Sequence, residues 1–292
     1  MIIYHHNDMD GRCAAAIAAK WAAQQKNPTP PVFVEMDYNR TVDVSMVKPG
    51  DIVVIVDFSF KPADMNKLAE ADPGRVIWID HHKTAQAYAY GADLDGLRDF
   101  AEKGQAGCEL AWRFFFPELS IPRGVFLIGD YDAWRLVSDP DCFKFFEGMK
   151  LCDTSAASDI WHHVMNGNER FIEGRLADGA TCIRYRDSYC SDFRGTLGYR
   201  TEIDGVEAYA CNLYRFGSGA FGKAMDTFPL CIAYAHDGEK FICSLYSTRP
   251  DVDVSEIAKA HGGGGHKGAA GFVCKELPFG KGPKALPPAT VE

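Results

Sequence analysis

A long hydrophobic run is missing from this sequence. Nowhere in its 292 residues do about 18 consecutive apolar residues occur, which is the length that a membrane-spanning helix requires. The first residues also lack the basic segment and the apolar stretch of a secretion signal. We therefore expect a protein that does not enter the membrane and that resides in the cytoplasm.

Paired cysteines and an excess of positive charge are missing too. The ten cysteines form no Cys-x-x-Cys pair of the kind found in zinc ribbons and redox sites, so we expect reduced and mostly buried thiols. Lys and Arg number 31 against 40 Asp and Glu, a net charge of -9. Proteins that coat long nucleic acids rely on basic side chains. The charge argues against that mode of binding and allows a short anionic substrate held by metal ions.

The first half of the chain alternates short apolar runs with helical patterns. Residues 31–36, 51–59 and 75–80 are rich in Val and Ile and are bounded by Pro, Gly or charge, which predicts buried strands. Between them, residues 61–72 place apolar side chains at helical spacing. This alternation predicts a parallel sheet covered by helices.

The pattern changes twice further along the chain. Residues 105–190 are mainly helical in pattern, after which strands are predicted within 205–213, 229–237 and 240–248. Residues 252–262 read as a helix that a glycine ends.

These patterns predict an α/β protein with two domains that divide near residue 194. Residues 1–194 would hold a parallel sheet of roughly five strands with flanking helices and a helical connector. Residues 195–292 would form a smaller mixed α/β domain. We expect the Pro- and Gly-rich tail from residue 277 onward to be extended.

Acidic and imidazole side chains follow the apolar runs of the first domain. The group comprises His5, His6, Asp8, Asp10, Asp57, Asp80, His81, His82 and Asp130. A single aspartate after a strand is more often a helix N-cap or a turn residue. Parallel strands, however, deliver all of these groups to one edge of a sheet, where unpaired carboxylates would repel one another unless cations lay among them. The set therefore predicts a metal site.

The donor types narrow the choice of metal and reaction. Mixed carboxylate and imidazole ligands suit manganese, iron or zinc better than calcium. A set of this size can hold two ions that share a bridging carboxylate, an arrangement that is common in phosphoryl chemistry. The residues therefore predict a phosphoester hydrolase.

Four motifs carry a resemblance to a known family. They are "HNDMDG" (6–11), "VDFS" (56–59), "DHH" (80–82) and "GDYDAW" (129–134). Together they resemble the DHH phosphoesterase superfamily, which includes RecJ-type exonucleases, nano-RNases, cyclic-dinucleotide phosphodiesterases and family II pyrophosphatases. The opening motif is most similar to the NrnB branch of oligoribonucleases.

The resemblance implies a ligand set. Asp8 and Asp57 would bind one metal, with His6 beside them, and Asp57 would bridge to the second metal. The ligands of that second metal would be Asp10, Asp57, His81 and Asp130. His82 would face the substrate phosphate or orient water, and Asp80 would support the histidines.

Two positions leave alternatives open. Many relatives carry a histidine four residues before the first aspartate, where this chain has Tyr4. We favour His6 over His5 as its replacement. In the fourth motif we favour Asp130 over Asp132, because Trp134 then stands where relatives often carry an aromatic residue.

A glycine run in the second domain suggests a binding site for phosphate. Residues 260–272 place four glycines between two histidines, which would let the backbone approach a ligand closely; a flexible linker is the competing interpretation. The run resembles the DHH-associated domain, a module that binds substrate. The resemblance implies these substrate-binding residues: Ser247, Arg249, Gly263, Gly264, Gly265 and His266.

The function that we predict is hydrolysis of short single-stranded oligonucleotides or dinucleotides from one end. Two divalent ions would take part, Mn²⁺ first, with Mg²⁺ or Co²⁺ as alternatives. A cyclic-dinucleotide phosphodiesterase or a nucleotide-phosphate phosphatase is the second hypothesis, followed by a pyrophosphatase or exopolyphosphatase. A non-catalytic nucleotide sensor comes from a different class, and a homodimer is left open.

Overall fold

The computed structural model of the chain describes residues 1–26, 29–37, 40, 42–71, 76–90, 94–101, 104–135 and 140–280. The chain divides into two compact units, Met1–Thr181 and Cys182–Glu292. This division falls inside one long helix, Glu169–Leu197, and the predicted boundary near residue 194 lies in the same helix. The part of the predicted extended tail that covers residues 281–292 lies outside the described residues.

The first unit contains a parallel sheet, as the sequence predicts. Its strands are β1 (Ile2–His6), β2 (Val32–Met36), β3 (Val53–Val56) and β4 (Val76–Ile79). They lie in the order β2-β1-β3-β4, and every neighbouring pair is parallel. The α/β fold class is confirmed.

The strands β3 and β4 are continuous apolar runs because both faces of the sheet are covered there. All four residues of β3 are buried. Val54 and Val56 face a core shared with the helices of one side, while Val53 and Ile55 face a second core on the other. Alternate residues of a strand point to opposite faces. A strand that is buried on both faces therefore has no exposed position for a polar side chain.

The sheet differs from the predicted number of strands. Among the described residues it has four strands, and the place beside β4 holds only two isolated parallel bridges, Ile77 with Asp95 and Asp80 with Arg98. Gly96 lies between the bridges with a φ of +125°, and a Cβ there would meet the Trp78 carbonyl oxygen at 2.0 Å. This left-handed backbone interrupts regular strand geometry.

Among the described residues, seven α-helices lie in the first unit or begin in it. They are α1 (Met9–Ala23), α2 (Pro62–Ala71), α3 (Gly107–Phe115), α4 (Arg123–Asp132), α5 (Cys142–Met149), α6 (Ile160–Met165) and α7 (Glu169–Leu197). The alanine-rich α1 packs on β1 and α3 through small buried side chains such as Ala14 and Ala18. Because alanine adds little bulk, α1 approaches its neighbours closely. The predicted helix over 61–72 and the predicted helical stretch after 105 are confirmed.

The second unit contains a mixed sheet. Its strands are β5 (Tyr199–Ile203), β6 (Val206–Asn212), β7 (Leu230–His236), β8 (Phe241–Tyr246), β9 (Gly264–His266) and β10 (Ala269–Cys274). Their order is β5-β6-β7-β8-β10-β9, and only the β6–β7 pair is parallel among these strands. Two helices, α8 (Ala224–Thr227) and α9 (Val254–Ala260), belong to the same unit. The three strands predicted after residue 205 are confirmed.

The glycine run is structured. After α9, Gly262 takes a left-handed φ of +79°, which ends the helix as predicted. The next residues form β9, which pairs with β10 as an antiparallel hairpin. The interpretation as a flexible linker is therefore wrong.

The ten cysteines are reduced thiols, as expected from the sequence. Seven of them are buried: Cys13, Cys108, Cys142, Cys190, Cys211, Cys231 and Cys243. Within the described ranges, no helix is both long enough and apolar enough to cross a membrane.

Candidate metal centre

The strand register explains why polar side chains of the first unit meet. Val56 of β3 lies opposite His5 of β1 and opposite Ile79 of β4. Because these strands are parallel, the residues that follow this row leave the sheet at the same edge. Those next residues are His6, Asp57 and Asp80.

A first group of donors surrounds the start of α1. His6 Nδ1 lies 2.6 Å from Asp8 Oδ2 and 3.7 Å from Asp57 Oδ2. Asp8 is also the N-cap of α1, where it accepts a hydrogen bond from the Gly11 N–H at 2.9 Å. The helix start thus fixes one carboxylate of the group.

The structure separates the two candidate histidines of the opening motif. His5 is buried and its Nδ1 lies 2.8 Å from the carbonyl oxygen of His6. It belongs to none of the clusters of metal-type donors found among the described residues, whereas His6 does. Adjacent strand residues point to opposite faces, and His6 is the one on the side of Asp57.

A second group of donors centres on His81. Its Nε2 lies 3.2 Å from Asp132 Oδ2, 3.2 Å from Asp57 Oδ1 and 3.8 Å from Asp10 Oδ2. In three sets, one donor atom from each residue lies within 4.8 Å of the others: His6, Asp8 and Asp57; Asp10, His81 and Asp132; Asp57, His81 and His82. The sets overlap at Asp57 and His81.

The fourth motif places a different aspartate at the centre from the one we favoured. Asp130 is fully buried and its Oδ1 accepts a hydrogen bond from Arg135 Nε at 3.1 Å. Asp132, two residues further along α4, is the one that reaches His81. Two residues turn a helix by about 200°, so the two carboxylates face opposite ways.

Asp57 is the residue that most clearly fits a bound cation. Its side chain is inaccessible to solvent, and neither carboxylate oxygen accepts a hydrogen bond from the residues that the structure describes. Its backbone is left-handed, with a φ of 53°, a conformation that aspartate tolerates better than most residues and that occurs often at functional sites. A buried carboxylate without hydrogen bonds is costly unless a positive charge lies beside it. The donor set therefore fits divalent metal ions.

A chain of hydrogen bonds orients His82. Asp80 Oδ1 lies 2.8 Å from His82 Nδ1 and accepts the backbone N–H of His81 at 2.8 Å. Its other oxygen accepts a short hydrogen bond from the Ser59 hydroxyl, which in turn accepts one from Trp78 Nε1 at 3.0 Å. The supporting role of Asp80 stays a prediction, and Ser59 and Trp78 were not anticipated from the sequence.

Burial and neighbouring charges shift the pKa values of the centre. Burial by itself lowers the pKa of His6, but Asp57 and Asp8 raise it to about 11. Burial likewise opposes the charged form of His81, and contacts with Asp132 and Asp57 nevertheless raise its pKa well above the usual value. Burial raises the pKa of Asp10, and the charges of Asp57 and Asp132 raise it further. These shifts favour the protonated forms of His6, His81 and Asp10, and a bound cation would displace those protons.

Asp10 is held by the beginning of α3. Its Oδ2 accepts the Gly107 N–H at 2.7 Å, and its Oδ1 accepts the Cys108 N–H at 2.9 Å. A Cβ on Gly107 would lie 2.6 Å from the Asp57 Cβ and 2.9 Å from Asp10 Oδ2. The sequence reasoning missed this glycine. Its only signal was its place just before Glu109, at the start of a helical pattern.

The second unit arranges its own predicted residues around the β9–β10 hairpin. Ser247 is buried; its hydroxyl donates to the Pro229 carbonyl at 2.7 Å and accepts the Arg249 N–H at 3.1 Å. Ser247 therefore shapes the turn that carries Arg249, whose half-exposed guanidinium lies 3.6 Å from Asp251. Residues 264–266 are exposed. These groups offer backbone and charge to a ligand, and their role as a substrate site stays a prediction.

Comparisons with known proteins agree with this fold. Residues 1–124 match the model of the DHH family, N-terminal domain. An uncharacterized protein, R106, of Acanthamoeba polyphaga mimivirus is 26% identical over 245 residues, which cover 78% of this chain and 55% of that protein. The chain thus spans about half of the length of this curated relative.

Three solved structures share the fold at low sequence identity. The DHH domain of a member of the S1p family of ribosomal proteins has a TM-score of 0.59 at 15% identity, covering 94% of this chain and 82% of that one. The pGpG-specific phosphodiesterase PggH of Vibrio cholerae has a TM-score of 0.52 at 9% identity, covering 94% and 93%. RecJ of Thermus thermophilus, solved in complex with Mn²⁺, has a TM-score of 0.51 at 14% identity, covering 94% and 49%.

A parallel α/β sheet whose carboxyl edge gathers carboxylates and imidazoles is suited to metal-dependent hydrolysis. Its first 124 residues, which hold this sheet, are similar to the N-terminal domain of the DHH phosphoesterase superfamily. Members of this superfamily are metal-dependent phosphoesterases.

Proposed function

We propose that this protein is a phosphodiesterase that uses two divalent ions to hydrolyse short single-stranded oligonucleotides. The observation that carries the proposal is the overlap of the two donor groups at Asp57, with His6 and Asp8 on one side and His81 and Asp132 on the other. One shared carboxylate between two sets of ligands is the arrangement expected for paired ions.

The ligand set that we propose differs from the sequence-based set at one position. His6, Asp8 and Asp57 would hold one ion. The residues for the other would be Asp10, Asp57, His81 and Asp132. Asp132 replaces Asp130 because it reaches His81, whereas Asp130 bonds to Arg135. Mn²⁺ suits this mixture of carboxylate and imidazole.

Bound divalent ions supply charge neutralisation for a phosphodiester and lower the pKa of water. The protein itself orients the side chains that would contact the phosphate. Because Asp80 engages His82 Nδ1, Nε2 is the ring nitrogen through which His82 would donate a hydrogen bond to a phosphate oxygen. The charge of Asp80 raises the pKa of His82 despite the opposing effect of burial, which favours the protonated ring that such a bond requires.

The second unit would also bind substrate. In this proposal it is a DHH-associated domain in which Arg249, carried on the Ser247 turn, pairs with a terminal phosphate. Guanidinium suits that geometry because it can donate two parallel hydrogen bonds. The exposed backbone of residues 264–266 would approach the sugar-phosphate chain.

A linear or cyclic dinucleotide is the second candidate substrate. The fold is shared with a pGpG-specific phosphodiesterase, and pGpG is itself a dinucleotide. A net charge of -9 favours short substrates in either case, since long nucleic acids need many basic contacts.

The test is Mn²⁺-dependent release of mononucleotides from end-labelled RNAs, from dinucleotides to oligomers of about twenty nucleotides. Cyclic dinucleotides, pyrophosphate and polyphosphate are run beside them, and Asp57→Asn serves as the inactive control. Turnover that is fastest on the shortest RNAs supports the proposal. Turnover confined to cyclic dinucleotides, or to pyrophosphate and polyphosphate, refutes the substrate assignment.

A further inference from the structure

A partly buried arginine ties together two segments that position carboxylates of the metal centre. Arg135 follows the end of α4, and its side chain is 17% exposed. Its Nε donates to Asp130 Oδ1 at 3.1 Å, its Nη1 to the Gly104 carbonyl at 2.6 Å and its Nη2 to Glu109 Oε2 at 2.9 Å. We name Arg135, Glu109 and Asp130 the Arg135 clamp.

On one side, the clamp fixes the first turn of α3. The buried Glu109 Oε2 also accepts the Ala106 N–H at 2.9 Å, which ties this carboxylate to the residue that precedes the helix. The next two N–H groups, those of Gly107 and Cys108, are the ones that hold Asp10. The position of Asp10 therefore depends on a helix start that Arg135 anchors.

On the other side, the clamp fixes the end of α4. Asp130 bonds to Arg135, and Asp132 reaches His81 with a separation of 3.2 Å between Oδ2 and Nε2. A Cβ on Gly129 would lie 2.7 Å from the Glu109 carboxyl carbon. The helices α3 and α4 are therefore in close contact at this glycine. A shift of either helix would separate Asp10 from Asp132.

The two donor groups differ in their dependence on this clamp. In the set with His81, Asp132 is carried by α4, which Arg135 anchors through Asp130. Asp10 is a residue of α1, but its carboxylate accepts hydrogen bonds from the start of α3, which Arg135 anchors through Glu109. The set of His6, Asp8 and Asp57 comes from β1, the start of α1 and the exit of β3. The contacts described above join His6 to Asp8 and Asp57, and join Asp8 to the Gly11 N–H.

We propose that Arg135 is a positioning residue that sets the spacing of Asp10, His81 and Asp132 before a cation binds, and that it has no such role for the set of His6, Asp8 and Asp57. The proposal rests on the metal-binding part of the proposed function. Loss of a buried partner behind metal ligands typically lowers metal affinity by about 10–100-fold. That loss should fall on one of two ions only.

The test is Mn²⁺ binding to the full-length protein, followed by calorimetry and by electron paramagnetic resonance of the free and bound ion. Wild-type protein is expected to bind two ions. Arg135→Gln is expected to weaken one of them by about 10–100-fold and to leave the other unchanged. Arg135→Lys keeps the charge but not the planar fork, so it should recover part of the loss.

Two further variants serve as controls. Arg123→Gln removes an arginine from the first residue of the same helix, whose guanidinium bonds to Asp141, Glu169 and Glu173 away from the centre; both ions should bind as in the wild type. Glu109→Gln keeps the size of the side chain and weakens one arm of the clamp. It decides the question if Arg135→Gln does not fold, and it should weaken the same single ion.

The outcomes separate this inference from the proposed function. Equal weakening of both ions, or no weakening, in Arg135→Gln and Glu109→Gln would overturn the role of Arg135. A wild-type protein that binds two ions yet cleaves no oligonucleotide would refute the substrate assignment and leave the clamp to be judged by metal affinity. Binding of fewer than two ions by the wild type would overturn both.

Discussion

Replacing Gly107 by alanine is expected to damage the metal centre through a residue that has no side chain of its own. The added Cβ would lie 2.6 Å from the Asp57 Cβ and 2.9 Å from Asp10 Oδ2. Neither neighbour can move away cheaply, because Asp10 bonds to the N–H of Gly107 and of Cys108, and Asp57 is buried at the exit of β3.

The magnitude follows from the cost of overpacking. An extra methyl group in a tightly packed interior typically costs about 1–3 kcal/mol. For a unit of this size, that corresponds to a fall of about 2–12 °C in the midpoint of thermal unfolding. We also expect weaker Mn²⁺ binding, because relief of the clash displaces Asp10 or Asp57.

The assay is thermal unfolding in the presence of a chelator and again with Mn²⁺. Gly174→Ala is the matched control, since a Cβ at this position of α7 meets no atom within 4 Å and alanine stabilises a helix by about 0.5–1 kcal/mol relative to glycine. Stability should therefore fall for Gly107→Ala and rise slightly for Gly174→Ala. The added stability that Mn²⁺ gives should also shrink in Gly107→Ala.

The reasoning would be refuted if Gly107→Ala matched the wild type in stability and in its gain from Mn²⁺. It would also be refuted if both glycine variants changed stability by the same amount, because that result would reflect helix propensity alone.

Three more predictions concern the same centre. Asp57→Asn should abolish hydrolysis and lower the Mn²⁺ content measured by elemental analysis while circular dichroism stays unchanged, because asparagine also tolerates the left-handed backbone; full activity with two ions would contradict the bridging role. The pKa of about 11 of His6 means that the metal-free ring holds its proton at neutral pH and loses it only as the pH rises through that value. Mn²⁺ binding should then release protons and strengthen with rising pH, and calorimetry that gives the same enthalpy in buffers of different ionisation enthalpy would argue against this. Ser59→Ala leaves Trp78 Nε1 and Asp80 without their shared partner and should lower stability by about 1–3 kcal/mol and kcat by about 10–100-fold, whereas an unchanged kcat would exclude Ser59 from the orientation of His82.

Much of the first unit follows from local patterns. β3 and β4 are β-branched runs that only a doubly covered sheet can bury, and an aspartate at the exit of a parallel strand must lie at the ligand-binding edge. The sequence could therefore bring Asp57 and Asp80 together without any knowledge of the tertiary structure.

The remaining features depend on the directions in which side chains point, and these are set by packing and not by local sequence. Asp130 and Asp132 lie on opposite sides of α4, and which side faces His81 is set by how α4 packs on α3. The contact of Arg135 with Glu109 spans 26 residues and has no local signal. A motif that offers two aspartates thus identifies the segment, while packing selects the side chain.

The buried thiols give this protein built-in probes of local opening. Cys13, Cys108 and Cys142 lie in the interior of the first unit, and Cys211 and Cys231 lie in that of the second. A thiol reagent modifies such a residue only when the surrounding structure opens, so modification rates report the free energy of opening. Mass spectrometry of peptides from each unit would then show which one a bound ion protects, with no engineered label.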